Sequence, residues 1–222
     1  MFSVLVEAVL FALSGVISIG SISIVIILLL SQRGWRNGLG YALGYTSAYS
    51  IIGILAVTTG NQIVEIYSGN GSVLQPILFL VLGILLILLA LRNLKKPIQE
   101  INTNPKFVSF LDTITPLKAF GFGLIISVVN FKNLTLFLSA ISIVIISNLS
   151  IIEKILITIP VVLVFCLSVI IPVFIYIFFP MRSNNILSSF KDFLKEHNRP
   201  ISIWVPLIFG FLLIAKGLSD LL

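Results

Sequence analysis

Long apolar runs dominate this chain, and the run from Phe120 to Leu138 is one example. A transmembrane helix needs about 20 mostly apolar residues, so such runs restrict the fold to a bundle of helices that crosses a membrane. The composition agrees, because 58% of the 222 residues are hydrophobic and only 10% are charged. Soluble domains carry about 25% charged residues. The sequence therefore predicts an all-α integral membrane protein, with one polytopic domain over residues 1–222.

Six apolar stretches predict six transmembrane helices. The predicted spans are Phe2–Leu30, Gly38–Thr59, Pro76–Leu91, Pro116–Ile146, Ile155–Phe179 and Ile201–Leu221. Between the last two, residues 184–198 place apolar side chains at helical spacing opposite charged ones. The apolar set is Ile186, Leu187, Phe190, Phe193 and Leu194, and the charged set is Lys191, Asp192, Lys195 and Glu196. This pattern predicts a cytoplasmic, interfacial amphipathic helix.

The basic residues predict the orientation. Eleven of the 14 lie in or at the edges of odd-numbered connections between the predicted spans, Lys154 lies in an even-numbered one, and Lys132 and Lys216 lie well inside spans. Cytoplasmic connections are enriched in Lys and Arg. We therefore expect both termini outside the cell, with the protein in the plasma membrane. Because orientation explains the net charge of +6, the sequence predicts no nucleic-acid partner.

The two halves of the chain are expected to be related by inversion. Three crossings is an odd number, so the second half must enter the membrane opposite to the first. This predicts two inverted three-helix repeats, residues 1–92 and 116–222, joined by a cytoplasmic loop over residues 93–115. Residues 18–21 (Ser-Ile-Gly-Ser) interrupt the first span, and residues 130–133 (Asn-Phe-Lys-Asn) interrupt the fourth. Paired interruptions predict a midplane site between the repeats.

Lys132 is the most unusual residue of the predicted membrane interior. It lies about 18 Å along the helix from Phe120, and a charge at the centre of a span costs about 2.5 to 3.5 kcal/mol. We expect Lys132 to act as a counter-charge for an anionic group, since ionisable residues inside a membrane usually mark a pathway. The alternative is a structural lysine that binds carbonyl groups or a second protomer. The predicted substrate-binding residues are Lys132, Asn130, Asn133, Ser18, Gly20 and Ser21.

Three short segments carry a family resemblance. They are residues 18–21 with 28–33, the glycine-rich residues 37–44, and residues 130–134. In these segments the chain resembles the lysine exporter superfamily, and within it the glycolipid-addressing branch known as Sap or sulfolipid-addressing proteins. The family's fourth-span motif is Asn-Pro-Lys, and Phe131 stands in place of its proline. The resemblance implies two inverted three-helix repeats, export of small or lipid-linked solutes, and homodimers.

Four further residues have weaker interpretations. Glu7 is the only acidic residue well inside an apolar segment, and it is interpreted as an ion-pair partner of Lys216, as a proton-coupling residue, or as an interfacial acid in water. Gly40 and Gly44 form a small-xxx-small pair that predicts helix packing rather than ligand contact. Cys166 is the single cysteine, and its apolar neighbours predict a packed side chain.

The sequence predicts neither an enzyme nor a cofactor, because it shows no metal-spaced cluster, no nucleophile with its base and no phosphate loop. Two classes of function remain. The first is a transporter that exports a small or lipid-linked polar or anionic solute by alternating access, with membrane lipids, the substrate and a second copy as partners. The alternative is a membrane structural or assembly subunit, which needs no polar interior. A membrane enzyme ranks third, because acid-base chemistry requires convergent titratable groups.

Overall fold

The described part of the chain is helical. The structure is a computed structural model that describes residues 1–31, 33–67, 74–95, 111 and 113–219, and no strand occurs in these ranges. In chain order, the helices are α1 (Phe2–Ala12), α2 (Ile19–Leu29), α3 (Gly34–Tyr67), α4 (Leu74–Lys95), α5 (Pro116–Val129), α6 (Phe131–Ile145), α7 (Ile151–Phe165), α8 (Leu167–Phe178), α9 (Pro180–Glu196) and α10 (Asn198–Ser219). A 3₁₀ turn, Leu13–Ile17, joins α1 to α2. The predicted all-α class is confirmed for these residues.

Three of the helices are each long and apolar enough to cross a membrane. They are α3 over Gly34–Ile63, α4 over Pro76–Leu94 and α10 over Arg199–Ser219. Three helix pairs are long and apolar enough only when taken together, and each pair is bent: α1 with α2 by 57°, α5 with α6 by 74°, and α7 with α8 by 60°. The described residues therefore hold three unbroken apolar helices, and up to six spans if each bent pair is one span. The inverted repeats remain a prediction.

Two of the three bends fall at the interruptions expected from the sequence. Ser18 precedes α2 with φ −92° and ψ 85°, and Asn130 separates α5 from α6 with φ −79° and ψ 77°. A ψ near +80° lies far from the helical value of about −42°, so neither helix can continue through its break. Asn130 also caps α6, since its Oδ1 accepts a hydrogen bond from the N–H of Asn133 at 3.4 Å. Neither break contains a proline.

The third bend is at Cys166, where the sequence shows no polar residue. Cys166 ends α7 through a hydrogen bond from its N–H to the carbonyl of Val162, and its own carbonyl accepts the first hydrogen bonds of α8. The two prolines of this span do not cause the bend, because Pro160 lies inside α7 and Pro172 lies inside α8. The thiol of Cys166 is fully buried.

Several helix ends lie a few residues from the predicted positions, and two of them bear on the polar residues discussed below. The second predicted span ends at Thr59, whereas α3 continues to Tyr67. The fifth begins at Ile155, whereas α7 begins four residues earlier, at Ile151. A capping box explains the early start, because the N–H of Ser150 donates to Glu153 Oε2 at 3.0 Å and the N–H of Glu153 donates to Ser150 Oγ at 3.4 Å. Lys154 therefore belongs to the first turn of a helix rather than to a connection.

Glycine residues let α3 and α5 approach each other at backbone distance. A Cβ atom at Gly40 would lie 2.5 Å from the carbonyl oxygen of Pro116, and one at Gly44 would lie even closer to that of Phe120. From the opposite side, a Cβ at Gly123 would collide with the carbonyl oxygen of Tyr41. Small residues of this kind are typical of closely packed membrane helices.

Two predicted surface segments have different outcomes. Most of the predicted loop 93–115, including Lys106, lies outside the described residues. Residues 184–196 of the predicted interfacial segment do form a helix, as part of α9. In α9 Leu187 is buried, whereas Ile186, Phe190 and Phe193 are exposed. The amphipathic role of α9 at the membrane surface remains a prediction.

Candidate functional site

The two helix breaks meet at a cluster of four buried polar residues. Asn133 Nδ2 donates a hydrogen bond to Ser18 Oγ and another, of 3.1 Å, to Tyr45 Oη. Ser18 Oγ donates to Ser21 Oγ at 3.1 Å, and Ser21 Oγ donates to Tyr45 Oη at 3.2 Å. Asn133 keeps only 1% of its surface exposed. These four residues, called the break cluster below, join the break before α2 to the first turn of α6 and to the middle of α3.

The break cluster brings two helix N-termini together. The helices α2 and α6 both begin at a break, so the N–H groups of their first turns have no partner within the helix. Such N–H groups carry a partial positive charge and favour an anion. Gly20 lies in the first turn of α2, its surface is exposed, and a Cβ atom there would meet no atom within 4 Å. The predicted site residue Gly20 therefore borders open space rather than a packed helix.

Lys132 adds a full positive charge to the same region. It lies in the first turn of α6, one residue before Asn133, and its side chain is half-buried. Among the residues that the structure describes, Lys132 forms neither a hydrogen bond nor an ion pair. A cation at a helix N-terminus is repelled by the helix dipole, and the partial burial of its charge is also unfavourable. An anion beside Lys132 would offset both the repulsion and the burial.

Tyr45 belongs to the break cluster, but sequence reasoning missed it. Tyr41, Tyr45 and Tyr49 are fully buried on one face of α3, and the ring centroids of the last two are 5.0 Å apart. Tyr49 continues the contact to Phe137 and Phe165, each at a centroid distance of 4.8 Å. The four-residue spacing of these tyrosines is the sequence signal that points to one helix face. These ring contacts position Tyr45 so that its hydroxyl group lies next to both breaks.

Glu7 and Lys216 form an ion pair that joins α1 to α10. This pairing is one of the three interpretations left open by the sequence. Lys216 Nζ also lies 5.2 Å from the ring centroid of Phe79 in α4. The two side chains remain partly exposed, at 27% for Lys216 and 37% for Glu7. Neither residue takes part in the hydrogen bonds of the break cluster, and proton coupling by Glu7 remains a prediction.

Lys154 is a buried cation that sequence reasoning assigned to a connection. Its Nζ donates hydrogen bonds of 2.7 Å to Asn61 Oδ1 and to the carbonyl oxygen of Ile145. Ile145 is the last residue of α6, so Lys154 caps the negative end of that helix. These bonds join α3, α6 and α7, and they give Lys154 a structural role.

The chain matches the family model described as Sap, sulfolipid-1-addressing protein, over residues 8–219. The chain belongs to the Sap family. No curated protein and no solved structure shows a significant match to it. The range matched by the Sap model contains Lys132 and the whole break cluster, whereas Glu7 lies just before it. The resemblance to the Sap branch is thereby confirmed, and membership of the wider lysine exporter superfamily remains a prediction.

The side chains at the break cluster of this Sap protein are suited to binding. They offer amide and hydroxyl groups, and Lys132, the residue before Asn133 in α6, adds an ammonium group next to them in the chain. Within the described ranges, no group of three or more His, Cys, Asp or Glu residues is placed to hold a metal ion.

Proposed function

We propose that this Sap protein is a membrane transporter that exports a small or lipid-linked polar or anionic solute. The observation that carries the proposal is the direct hydrogen bond between the two helix breaks, from Asn133 to Ser18. Discontinuous helices that meet in this way form the substrate sites of many secondary transporters. The anionic group of the substrate binds beside Lys132, Asn130 and Asn133 on one side and the first turn of α2 on the other.

The charge of the site favours an anionic substrate. Two helix N-termini meet at the break cluster, and Lys132 lies in the first turn of one of these helices, next to Asn133. Helix N-termini and an ammonium group all attract negative charge. The family description names a sulfolipid. A lipid-linked anion is therefore our first choice of substrate class, and a small free anion is the second.

Alternating access requires that the contact between the breaks can open. The hydrogen bonds of the break cluster join neutral groups, and each is worth about 0.5 to 1.5 kcal/mol net. A substrate that supplies replacement bonds to Asn133 and Ser18 can offset this cost. In the proposal the two inverted repeats then rock about the site, with both termini outside the plasma membrane and with two copies forming a homodimer.

The test compares export by Lys132 variants. Cells that lack the gene for this chain are complemented with the wild type, Lys132→Met or Lys132→Arg, and the anionic solutes and lipids outside the cells are measured by mass spectrometry. Export is expressed per folded molecule, quantified by gel filtration in detergent. We expect Lys132→Met to abolish export, because it removes the charge and nearly keeps the volume. Lys132→Arg should keep partial export, because a planar fork replaces a compact ammonium.

Lys118 supplies the matched control. It is an exposed lysine in the first turn of α5, outside the break cluster, so Lys118→Met should leave export unchanged. Full export per folded Lys132→Met molecule would contradict the role of Lys132. If no solute differs between wild-type and deleted cells, the chain is not an exporter, and the structural or assembly role takes its place.

A further inference from the structure

A basic pocket lies at the start of α3, apart from the break cluster. Its volume is about 570 Å³, and its lining includes Arg33, Trp35, Arg36 and Tyr176. We propose that this pocket binds the phosphate or sulfate head group of an anionic membrane lipid. The inference does not rest on transport at Lys132, and it concerns different residues.

The described lining of the pocket contains two arginines and no acidic residue. Arg33 and Arg36 both line it, and in the described part of the chain neither arginine forms an ion pair. A guanidinium group presents several N–H donors in a fixed plane, which match the oxygens of phosphate or sulfate in pairs. Two such groups in one pocket match a tetrahedral oxyanion better than a carboxylate, which presents only two oxygens.

Side-chain hydrogen bonds of Asn37 connect the chain segments around this pocket. Asn37 is fully buried, and its Nδ2 donates hydrogen bonds to Ser31 Oγ at 3.1 Å and to the carbonyl of Ile114 at 3.0 Å. These bonds fix the start of α3 against the residues before α5. Gly34 has φ 41°, and a Cβ atom there would lie 2.8 Å from Tyr176 Oη. The absence of a side chain at Gly34 thus leaves room for the hydroxyl of Tyr176, a hydrogen-bond donor, at the pocket lining.

The position of the pocket favours a lipid over a free anion. The apolar stretch of α3 begins at Gly34, so the pocket lies at the end of a candidate membrane span, where lipid head groups are found. Trp35 is 47% exposed, and the guanidinium of Arg36 lies 5.6 Å from its ring centroid. Exposed Trp side chains concentrate at membrane interfaces, where the ring contacts lipid and the polar end contacts head groups. Trp35 therefore lines the pocket, and its fluorescence can show which lipid is bound there.

Fluorescence of Trp35 provides the test. The chain has two tryptophans, so Trp204→Phe leaves Trp35 as the single tryptophan. The protein is reconstituted in phosphatidylcholine bilayers that contain either brominated phosphatidylglycerol or brominated phosphatidylcholine, because bromine quenches a nearby tryptophan. We expect phosphatidylglycerol to be preferred at Trp35 by at least about tenfold, which corresponds to about 1.4 kcal/mol. In the Arg33→Gln, Arg36→Gln double variant the two lipids should quench equally.

Two variants separate a shaped site from general attraction of positive charge to anionic lipid. Lys118→Gln removes a charge close to the same helix ends but outside the pocket lining, and the lipid preference should persist. The Arg33→Lys, Arg36→Lys double variant keeps the charge that orients the chain in the membrane but loses the planar forks, so the preference should fall by several fold. Both variants are compared with the parent after gel filtration.

Three results would overturn the proposal. The first is equal quenching by the two lipids in the Trp204→Phe protein. The second is a loss of preference in Lys118→Gln as large as in the double glutamine variant, which would indicate charge attraction alone. The third is found in detergent, by adding inorganic phosphate or unbrominated phosphatidylglycerol and recording the Trp35 emission. Equal changes in emission would indicate a site for free anions. None of these results depends on whether Lys132 supports export.

Discussion

The contact between α3 and α5 predicts opposite effects for two alanine substitutions in α5. Gly121 and Gly123 are two residues apart in the same helix. A Cβ atom at Gly123 would collide with the carbonyl oxygen of Tyr41 and would lie 2.8 Å from the backbone nitrogen of Tyr45, whereas one at Gly121 would meet no atom within 4 Å. Gly123→Ala should therefore destabilise the protein, and Gly121→Ala should not.

The expected difference in the free energy of unfolding between the two variants follows from two terms. Replacing glycine by alanine inside a helix stabilises it by about 0.5 to 1 kcal/mol, because the unfolded chain loses freedom. This term is common to both variants and cancels in their difference. Overpacking costs about 1 to 3 kcal/mol, and backbone atoms cannot move aside as a flexible side chain can. We therefore expect Gly123→Ala to be less stable than Gly121→Ala by about 1 to 3 kcal/mol.

The assay is reversible unfolding of both purified variants in one detergent, with the free energy of unfolding measured from a titration with sodium dodecyl sulfate. Gly44→Ala tests the same contact from α3, because its Cβ would collide with the backbone of Phe120. It should behave like Gly123→Ala. Equal stability of the Gly121 and Gly123 variants would refute the close approach of α3 and α5.

Three further predictions concern the polar interior and the orientation. Asn133→Leu should lower the free energy of unfolding by about 1 to 3 kcal/mol in the same titration, because its buried partners lose a hydrogen bond. Lys154→Met should lower it by about 1.5 to 3 kcal/mol, because charge-assisted hydrogen bonds at the end of α6 are lost. For the orientation, Asn148→Cys should react with an impermeant thiol reagent in intact cells, and Ser188→Cys should not.

Controls accompany each of these predictions. Lys118→Met removes an exposed lysine and should leave the unfolding titration unchanged, so a similar loss there would contradict the structural role of Lys154. Unchanged stability of Asn133→Leu would mean that the break cluster does not hold the helices together. The labelling uses a Cys166→Ser background, and reaction of Ser188→Cys from outside would reverse the predicted orientation.

Local polarity made two of the helix breaks predictable and left the third hidden. Ser18 and Asn130 are polar residues inside apolar runs, and such residues can bind the backbone groups that a break leaves unpaired. The bend at Cys166 has no such signal, since its neighbours Phe165 and Leu167 are apolar. The two prolines of that span do not mark the bend either, since a proline can remain inside a membrane helix when neighbouring groups satisfy the freed carbonyl.

The partners of the buried polar groups were beyond sequence reasoning. Tyr45 is 88 positions from Asn133, and Asn61 is 93 positions from Lys154. Spacing along one helix shows which side chains share a face, but it does not show which face of another helix they meet. Lys154 was assigned to a connection because the apolar run begins after it, whereas the capping box at Ser150 begins the helix earlier.

The sequence by itself determined that this chain is a helical membrane protein of the Sap family, and it located two helix breaks. The membrane helices follow from hydrophobic length and the breaks from local polarity, and both act over a limited stretch of neighbouring residues. Only the tertiary structure decided that the breaks meet, through a hydrogen bond between Asn133 and Ser18 across 115 positions. Such a bond requires atoms to approach within about 3 Å, and that distance is set by how the helices pack, through contacts such as those of Gly44 and Gly123.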